Sequence, residues 1–244
     1  LFISFDKYII DLNNSSPKEI LADFVSLFYP RYCRGCENAL VKGESLICTK
    51  CLLELSRTND HYDSENPFFK KFKGRLPLSY AMAFFKFVKS SRIQHLLHAL
   101  KYKNQPEIGR MFGTMYGDEL MKTHLGEFDL ILSIPLHSSK QRKRGYNQSD
   151  EFGKGLSDIL AIPSSDSVLK RVVATETQTR KSKLNRWENV GEVFKVVDST
   201  AIIGKRILLV DDVVTTGATL EACGQSIITA QCKSLSIACI ASTQ

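Results

Sequence analysis

Residues 206–220, RILLVDDVVTTGATL, place two adjacent carboxylates just before a loop of small residues, a combination that can do chemistry. An apolar run reaches Asp211-Asp212, and the loop that follows opens a helical pattern at Gly217. A loop at a helix N-terminus directs several backbone N–H groups at one point, which makes it a ready cradle for phosphate. Gly217 removes side-chain bulk there, and the hydroxyls of Thr215, Thr216 and Thr219 add donors. The carboxylates upstream can accept hydrogen bonds from vicinal sugar hydroxyls, so a ribose 5-phosphate would be held at both ends. Two rival phosphate loops fail on the string itself. A Walker A loop needs a Lys that is missing, and a dinucleotide fingerprint needs GxGxxG. A plain strand-turn-helix would leave two carboxylates ending a buried strand, which is costly without a ligand or partner.

Four of the seven cysteines, Cys33, Cys36, Cys48 and Cys51, form two CxxC pairs. In such knuckles both sulfurs of a pair reach one ion, and two pairs complete the tetrahedron that zinc prefers. Four closed ligands leave no open position, so the expected zinc is structural. A redox pair fits poorly, because neither CxxC opens a helix in a βαβ unit. An iron–sulfur cluster is less common at this spacing, and four unliganded thiols are the least expected outcome. The knuckles either supply folding free energy to a segment that lacks its own core, or read nucleic acid. Cys223, Cys232 and Cys239 lie in apolar sequence and read as buried thiols with no role.

The net charge of +7 gathers in residues 61–110 and 140–206. Both a polyanionic partner and a solvated basic surface are consistent with that balance. Hydrophobic residues make up 43% and charged residues 24%, which excludes a disordered tail, a collagen-like fibre and a coiled coil. No run approaches the ~18 apolar residues of a membrane span. Asp6 and Asp11 interrupt the apolar start too early for a signal peptide, so the expectation is a soluble, cytoplasmic protein. Leu1 stands where an initiator Met is expected, leaving the true start open.

The elements that must position these groups follow from periodicity. Ser16-Pro17-Lys18-Glu19 reads as a capped helix start, continued by Ile20, Leu21, Phe24, Leu27 and Phe28. Residues 57–74 are polar and aperiodic, which reads as a linker or surface loop. Strands are expected over 79–88, 128–134, 167–173, 193–197, 206–210 and 234–240. Helices are expected over 90–101, 106–124, 148–160, 183–189 and 217–230. Strands alternating with helices predict an α/β protein with a parallel sheet, whose ligands sit beyond the carboxyl ends of the strands. The expected domains are an N-terminal helix over 1–30, a zinc-knuckle module and linker over 31–75, and the α/β domain over 76–244.

VDDVVTTGAT closely resembles the signature of the phosphoribosyltransferase fold. From about Leu27 on, the chain resembles the ComF family, associated with competence. The likeness rests on the CxxC pairs, ALKYKNQPEIG, the strand ending in Ile134-Pro135-Leu136, RKRGYNQ, QTRKSKLNRWENV and the signature loop, all in matching order. Its commoner RGFNQ string is RGYNQ here. The resemblance implies a phosphoribosyltransferase-type parallel sheet flanked by helices, and phosphoribosyl pyrophosphate with Mg²⁺ as substrate. It implies that Asp211 and Asp212 bind the ribose hydroxyls and that Val214, Thr215, Thr216, Gly217, Ala218 and Thr219 wrap the 5-phosphate. It puts a pyrophosphate loop at Pro135-Leu136-His137, followed by a mobile hood with Arg142, Arg144, Gly145, Tyr146, Asn147 and Gln148.

The hood has its own physical logic. Glycosyl transfer builds negative charge on the departing pyrophosphate, and cations arriving with a closing loop stabilise it and exclude water. Gly145 would be the hinge, and Asp211, Asp212 and Arg144 are expected to carry the chemistry; the alternative is a solvated basic turn. Gln178, Thr179, Arg186 and Asn189 would close over the acceptor or the pyrophosphate, or else belong to a surface helix anchored by Trp187. Lys101, Tyr102 and Lys103 end a helix, where lysines favour the helix dipole. Two functions compete: phosphoribosyl transfer to an unknown acceptor in the context of DNA uptake, or non-catalytic handling of single-stranded DNA with the site as a ligand sensor. The latter brings the DNA-uptake machinery in as partner.

Overall fold

The computed structural model describes residues 24, 25, 28–123, 125, 127–172 and 194–243. The chain divides into two compact units, Leu1–Leu52 and Leu53–Gln244. In the first, a bridge between Tyr32 and Ala39 closes the turn of the first knuckle, and helix α1 (Thr49–Leu53) carries the last cysteine. Of the expected N-terminal helix, Phe24, Val25 and Phe28 are described; all three are helical and exposed. The rest of that helix, and the one expected over 183–189, lie outside the described residues.

The second unit begins with a difference from the sequence reading. Residues 57–74 are not a linker. They hold a 3-10 turn (Asp60–Tyr62) and the short helix α2 (Pro67–Lys70). Asn66 caps α2 by accepting from the Phe69 N–H at 2.7 Å, and its amide donates to Ala81 O at 2.9 Å. Phe68 and Phe72 are buried in one apolar cluster with Leu209, Leu220 and Ile227. Their anchors are too scattered to register as a period, yet each fills a fixed place.

Strand β1 (Tyr80–Lys86) leads to helices α3 (Arg92–Tyr102) and α4 (Glu107–Met121). Strand β2 (Leu130–Ser133), helix α5 (Ser138–Arg144) and helix α6 (Gln148–Leu160) follow. After β3 (Ser164–Ser165), β4 (Leu169–Arg171) and β5 (Phe194–Val196) come β6 (Arg206–Val214), α7 (Ala218–Thr229) and β7 (Ser234–Ser242). The main sheet has the order β1-β7-β6-β2-β3 and every pairing in it is parallel. Its central strands are buried almost end to end, as expected for a parallel sheet with helices on both faces. This is the α/β sheet the sequence predicts.

Four details depart from prediction. β4 and β5 pair antiparallel with each other, in register Leu169↔Val196, instead of joining the parallel sheet. Each has one buried apolar residue at an end and at least one exposed lysine beside it, which suits a two-stranded ribbon and not a central strand. β3 is two serines, without any apolar signal, added at the sheet edge by pairing with Ile131 and Leu132. α5 is a short helix that apolar periodicity could not announce, since none of its residues is buried. Finally, β6 continues past the acids to Val214, because Val213 and Val214 keep pairing with Ala241 and Ser242.

α6 lies against α4 at very close range. A Cβ on Gly113 would stand 2.2 Å from Phe152 O, and one on Gly155 would stand 2.1 Å from Arg110 O. Glycine at both positions therefore sets how deeply α6 seats, and with it the place of Ser149 in its first turn. Among the described residues, no helix is long and apolar enough to cross a membrane.

Candidate phosphate and sugar site

β6 delivers Asp211 and Asp212 near its carboxyl end, and residues 215–217 turn the chain into α7. Gly217 adopts φ +79°, and a Cβ there would sit 2.8 Å from Cζ of Phe72. Both the left-handed backbone and the approach of that ring require glycine. Arg75 braces the loop from the same segment. Its Nη1 donates to Thr216 O at 3.3 Å, and it forms an ion pair with Glu221. Neither Phe72 nor Arg75 carries a sequence signal of this role; they lie in the stretch that reads as linker.

The loop amides are open. Among the described residues, the N–H groups of Thr215, Thr216, Gly217, Thr219 and Leu220 have no internal acceptor, and Ala218 N–H has only a long contact of 3.4 Å to Thr216 Oγ1. Thr215, Thr216, Ala218 and Thr219 are exposed, whereas Val214 and Gly217 are buried. First-turn amides that nothing inside the protein claims are the donors an anion at a helix N-terminus would use.

The two acids part company. Each acid has its own partner. Asp211 Oδ1 accepts from Ser149 Oγ at 2.9 Å and from Asp212 N–H at 2.8 Å. Asp212 is 9% exposed and pairs with Lys101 Nζ at 2.9 Å. Burial, and then the charge of Asp212, pushes the Asp211 carboxyl up to about 7. Ser149 and Lys101 pull the other way without prevailing. Lys101, which the sequence assigns to the helix dipole, thus belongs to the site. Its only sequence cue is the basic end of α3; Ser149 has none.

The turn after β2 puts Pro135, Leu136 and His137 at a cavity of about 350 Å³. His137 and Gln141 line one side of it, and Asp166, Lys170 and Arg171 the other. His137 caps α5, accepting through Nδ1 from the Ser139 N–H at 3.3 Å.

The basic string from Gln141 to Gln148 does not form one flap. Gln141, Arg142 and Lys143 are exposed on α5, and Gly145 ends that helix in the left-handed region. The remainder is fastened. Tyr146 Oη donates to Leu100 O and accepts from Gln105 N–H at 3.1 Å. Asn147 Nδ2 donates to Ile134 O at 2.8 Å, and Arg144 donates to Gln148 Oε1 at 2.7 Å while lying over the Tyr102 ring. The string is thus an exposed basic helix followed by half-buried and buried residues that hydrogen-bond to the body of the domain. Gln178, Thr179, Arg186 and Asn189 lie outside the described residues.

In the first unit, the sulfurs of Cys33, Cys36, Cys48 and Cys51 all lie within 4.8 Å of one another. Zn–S bonds of ~2.3 Å imply a tetrahedron with edges of about 3.8 Å, and Cys36 Sγ to Cys48 Sγ is 3.7 Å. Cys33 Sγ accepts from Gly35 N–H at 3.3 Å and Cys48 N–H at 3.2 Å. Burial raises the Cys33 thiol, but these amides and that of Cys36 outweigh it and bring the group down to about 7. Four converging sulfurs, one of them already favoured as thiolate, can hold a metal ion and fit a zinc module.

The chain is similar to known proteins in a consistent way. The phosphoribosyl transferase domain model matches residues 143–244. Competence protein F of Haemophilus influenzae is 34% identical over 131 residues, covering 52% of this chain and 57% of that protein. DNA utilization protein YhgH of Escherichia coli K12 is 30% identical over 152 residues, covering 61% and 66%. Competence protein ComFC of Bacillus subtilis is 26% identical, covering 53% and 50%. The matches thus span between half and two thirds of these relatives' lengths. Among solved structures, glutamine phosphoribosylpyrophosphate amidotransferase from B. subtilis aligns at 18% identity and a TM-score of 0.43, over 59% of this chain and 30% of that one, a likeness too slight to add weight. The parallel sheet, the phosphoribosyl transferase domain match and these relatives together support a ComF-family protein.

Proposed function

We propose that the chain binds phosphoribosyl pyrophosphate with Mg²⁺ at the carboxyl end of β6 and transfers the phosphoribosyl group to a nucleophilic acceptor, in the context of DNA uptake. The observation that carries this reading is the row of unclaimed amides from Thr215 to Leu220 beside two carboxylates. The amides would grip the 5-phosphate, and Asp211 and Asp212 would accept hydrogen bonds from the ribose hydroxyls. The bond from C1 of the sugar to the pyrophosphate oxygen breaks with its electron pair leaving on oxygen. The acceptor's lone pair forms the new bond to C1, and its proton is released.

Pro135, Leu136 and His137 would face the pyrophosphate, with Arg142 and Arg144 supplying positive charge as negative charge builds there. Mg²⁺ bound with the substrate would supply further neutralisation of that leaving group. Gln178, Arg186 and Asn189 are assigned to the acceptor side. The four cysteines are assigned a structural zinc. Chelation is expected to release one zinc per chain and open Cys33, Cys36, Cys48 and Cys51 to alkylation; four thiols that react equally well before chelation would count against it.

Calorimetric titration with phosphoribosyl pyrophosphate tests the main reading. Binding is expected to need Mg²⁺ and to vanish in the Asp211→Ala, Asp212→Ala double variant; equal binding in both proteins removes it. A screen of amine and base acceptors for pyrophosphate release then separates an enzyme from a ligand sensor. The second reading, a factor that handles single-stranded DNA, is supported by the exposed Lys140, Arg142 and Lys143 of α5 and by the name of the DNA utilization relative. Such binding should weaken steeply with salt; no binding at low salt rejects it.

A further inference from the structure

The pair of acids poses an electrostatic problem that one side chain answers. Asp211 and Asp212 are consecutive, the first half-buried and the second buried. Two neighbouring carboxylates raise each other's cost of ionisation, and burial adds to it. Yet a sugar diol is best held by carboxylates that only accept. Lys101 reaches Asp212 Oδ2 at 2.9 Å, with the two side chains 24% and 12% exposed.

We propose that Lys101 is a positioning residue of the sugar site, its ion pair with Asp212 offsetting part of the repulsion between the two adjacent acids. This rests on the proposed binding of phosphoribosyl pyrophosphate and assigns to that site a residue that none of the relatives' names implies. The other groups around the pair do not supply such a charge. Ser149 on α6 is a neutral donor to Asp211. Cys239, opposite Asp211 on β7, and Cys223 on α7 are thiols that burial pushes well up, so both stay neutral. Asp60, which acts on Cys239, is a further acid.

The last turn of α3 is built to keep Lys101 in place. Tyr146 takes hold of the flanking backbone on both sides, donating to Leu100 O and accepting from Gln105 N–H. Arg144 covers Tyr102, the residue next to Lys101, with its guanidinium 5.2 Å from the ring centroid. Tyr146 and Arg144 come from the RKRGYNQ string, so part of that string acts on the sugar end through Lys101.

Titrations of phosphoribosyl pyrophosphate with excess Mg²⁺ over a range of pH test this. Removing the Lys101 charge in Lys101→Met should move the pH midpoint of binding upward and weaken affinity at pH 7 about tenfold. Affinity should recover on the alkaline side, and Lys101→Arg should keep the wild-type profile. Tyr146→Phe should shift the midpoint the same way by less, and it keeps the question answerable if Lys101→Met fails to fold. An unchanged midpoint in the folded variants overturns the role of Lys101, as does an equal loss at every pH, which would mark a plain ligand contact. Wild-type protein that binds nothing at any pH overturns the proposed function itself, a distinct result.

Discussion

The two ends of β6 treat charge in opposite ways. At its start, Arg206 saturates Asp129: Nε donates to Oδ2 at 2.9 Å, Nη2 to Oδ1 at 2.6 Å, and the backbone N–H to Oδ2 at 2.8 Å. Those bonds hold the Asp129 carboxyl well below the usual carboxylate range. At its finish, Lys101 pairs with Asp212 alone, Asp211 is pushed up, and the N–H groups of Thr215, Thr216, Gly217, Thr219 and Leu220 find no acceptor among the described residues. The first end uses its polar groups to hold the fold. The second leaves them under-used at a cost in stability, and such a cost is usual where a ligand is meant to supply the missing partners.

The contrast can be broken by substitution, and the largest effect should come from the loop. Gly217→Ala forces a side chain into a left-handed backbone and against Phe72, and should cost about 2–4 kcal/mol. Urea denaturation measures that loss, and phosphate affinity should fall with it. A variant of wild-type stability would show that the loop is not locked by Phe72.

The acids should respond to pH with opposite signs. The Asp211 carboxyl rises on folding, so its contribution is present at acid pH and is lost as pH climbs through about 7. Asp211→Asn should flatten that decline, a difference on the order of 2 kcal/mol between acid and neutral pH. The Asp129 carboxyl falls on folding, so its contribution is present above the unfolded range and is lost on acidification. Asp129→Asn should cost about 0.5–1 kcal/mol at neutral pH, the worth of a solvent-screened pair, and leave ligand binding unchanged. Denaturation midpoints across pH measure both, and slopes of equal sign would erase the distinction between the two ends.

The smallest effect is expected on α5. Arg142 is exposed, so Arg142→Ala should change stability by less than about 0.5 kcal/mol. Asn147→Ala in the same string should cost about 1–3 kcal/mol, because Ile134 O and the cap of α6 both lose a partner. Similar values for the two would mean that the string is uniform after all.

Local chemistry was readable in the residues. The loop at Gly217, the four cysteines and the apolar strands each depend on neighbours within a few positions, where period, turn preference and ligand spacing operate directly. Residues 57–74 were misread for the complementary reason. Phe68 and Phe72, with Arg75 just after them, follow no period, and their value comes from Gly217, Thr216 and Glu221, far along the chain. β4 and β5 were recognisable as extended segments, but nothing in a strand names its partner.

The order of types along the chain therefore determined which groups could bind phosphate, sugar and metal, since these capacities belong to the side chains and short loops themselves. Only the folded chain decided that Lys101 and Ser149 stand at the acids, that Phe72 fills the space under the loop, and that half of the basic string is an anchor. Ion pairs and close packing act over a few ångströms in space, between residues that can lie more than a hundred positions apart.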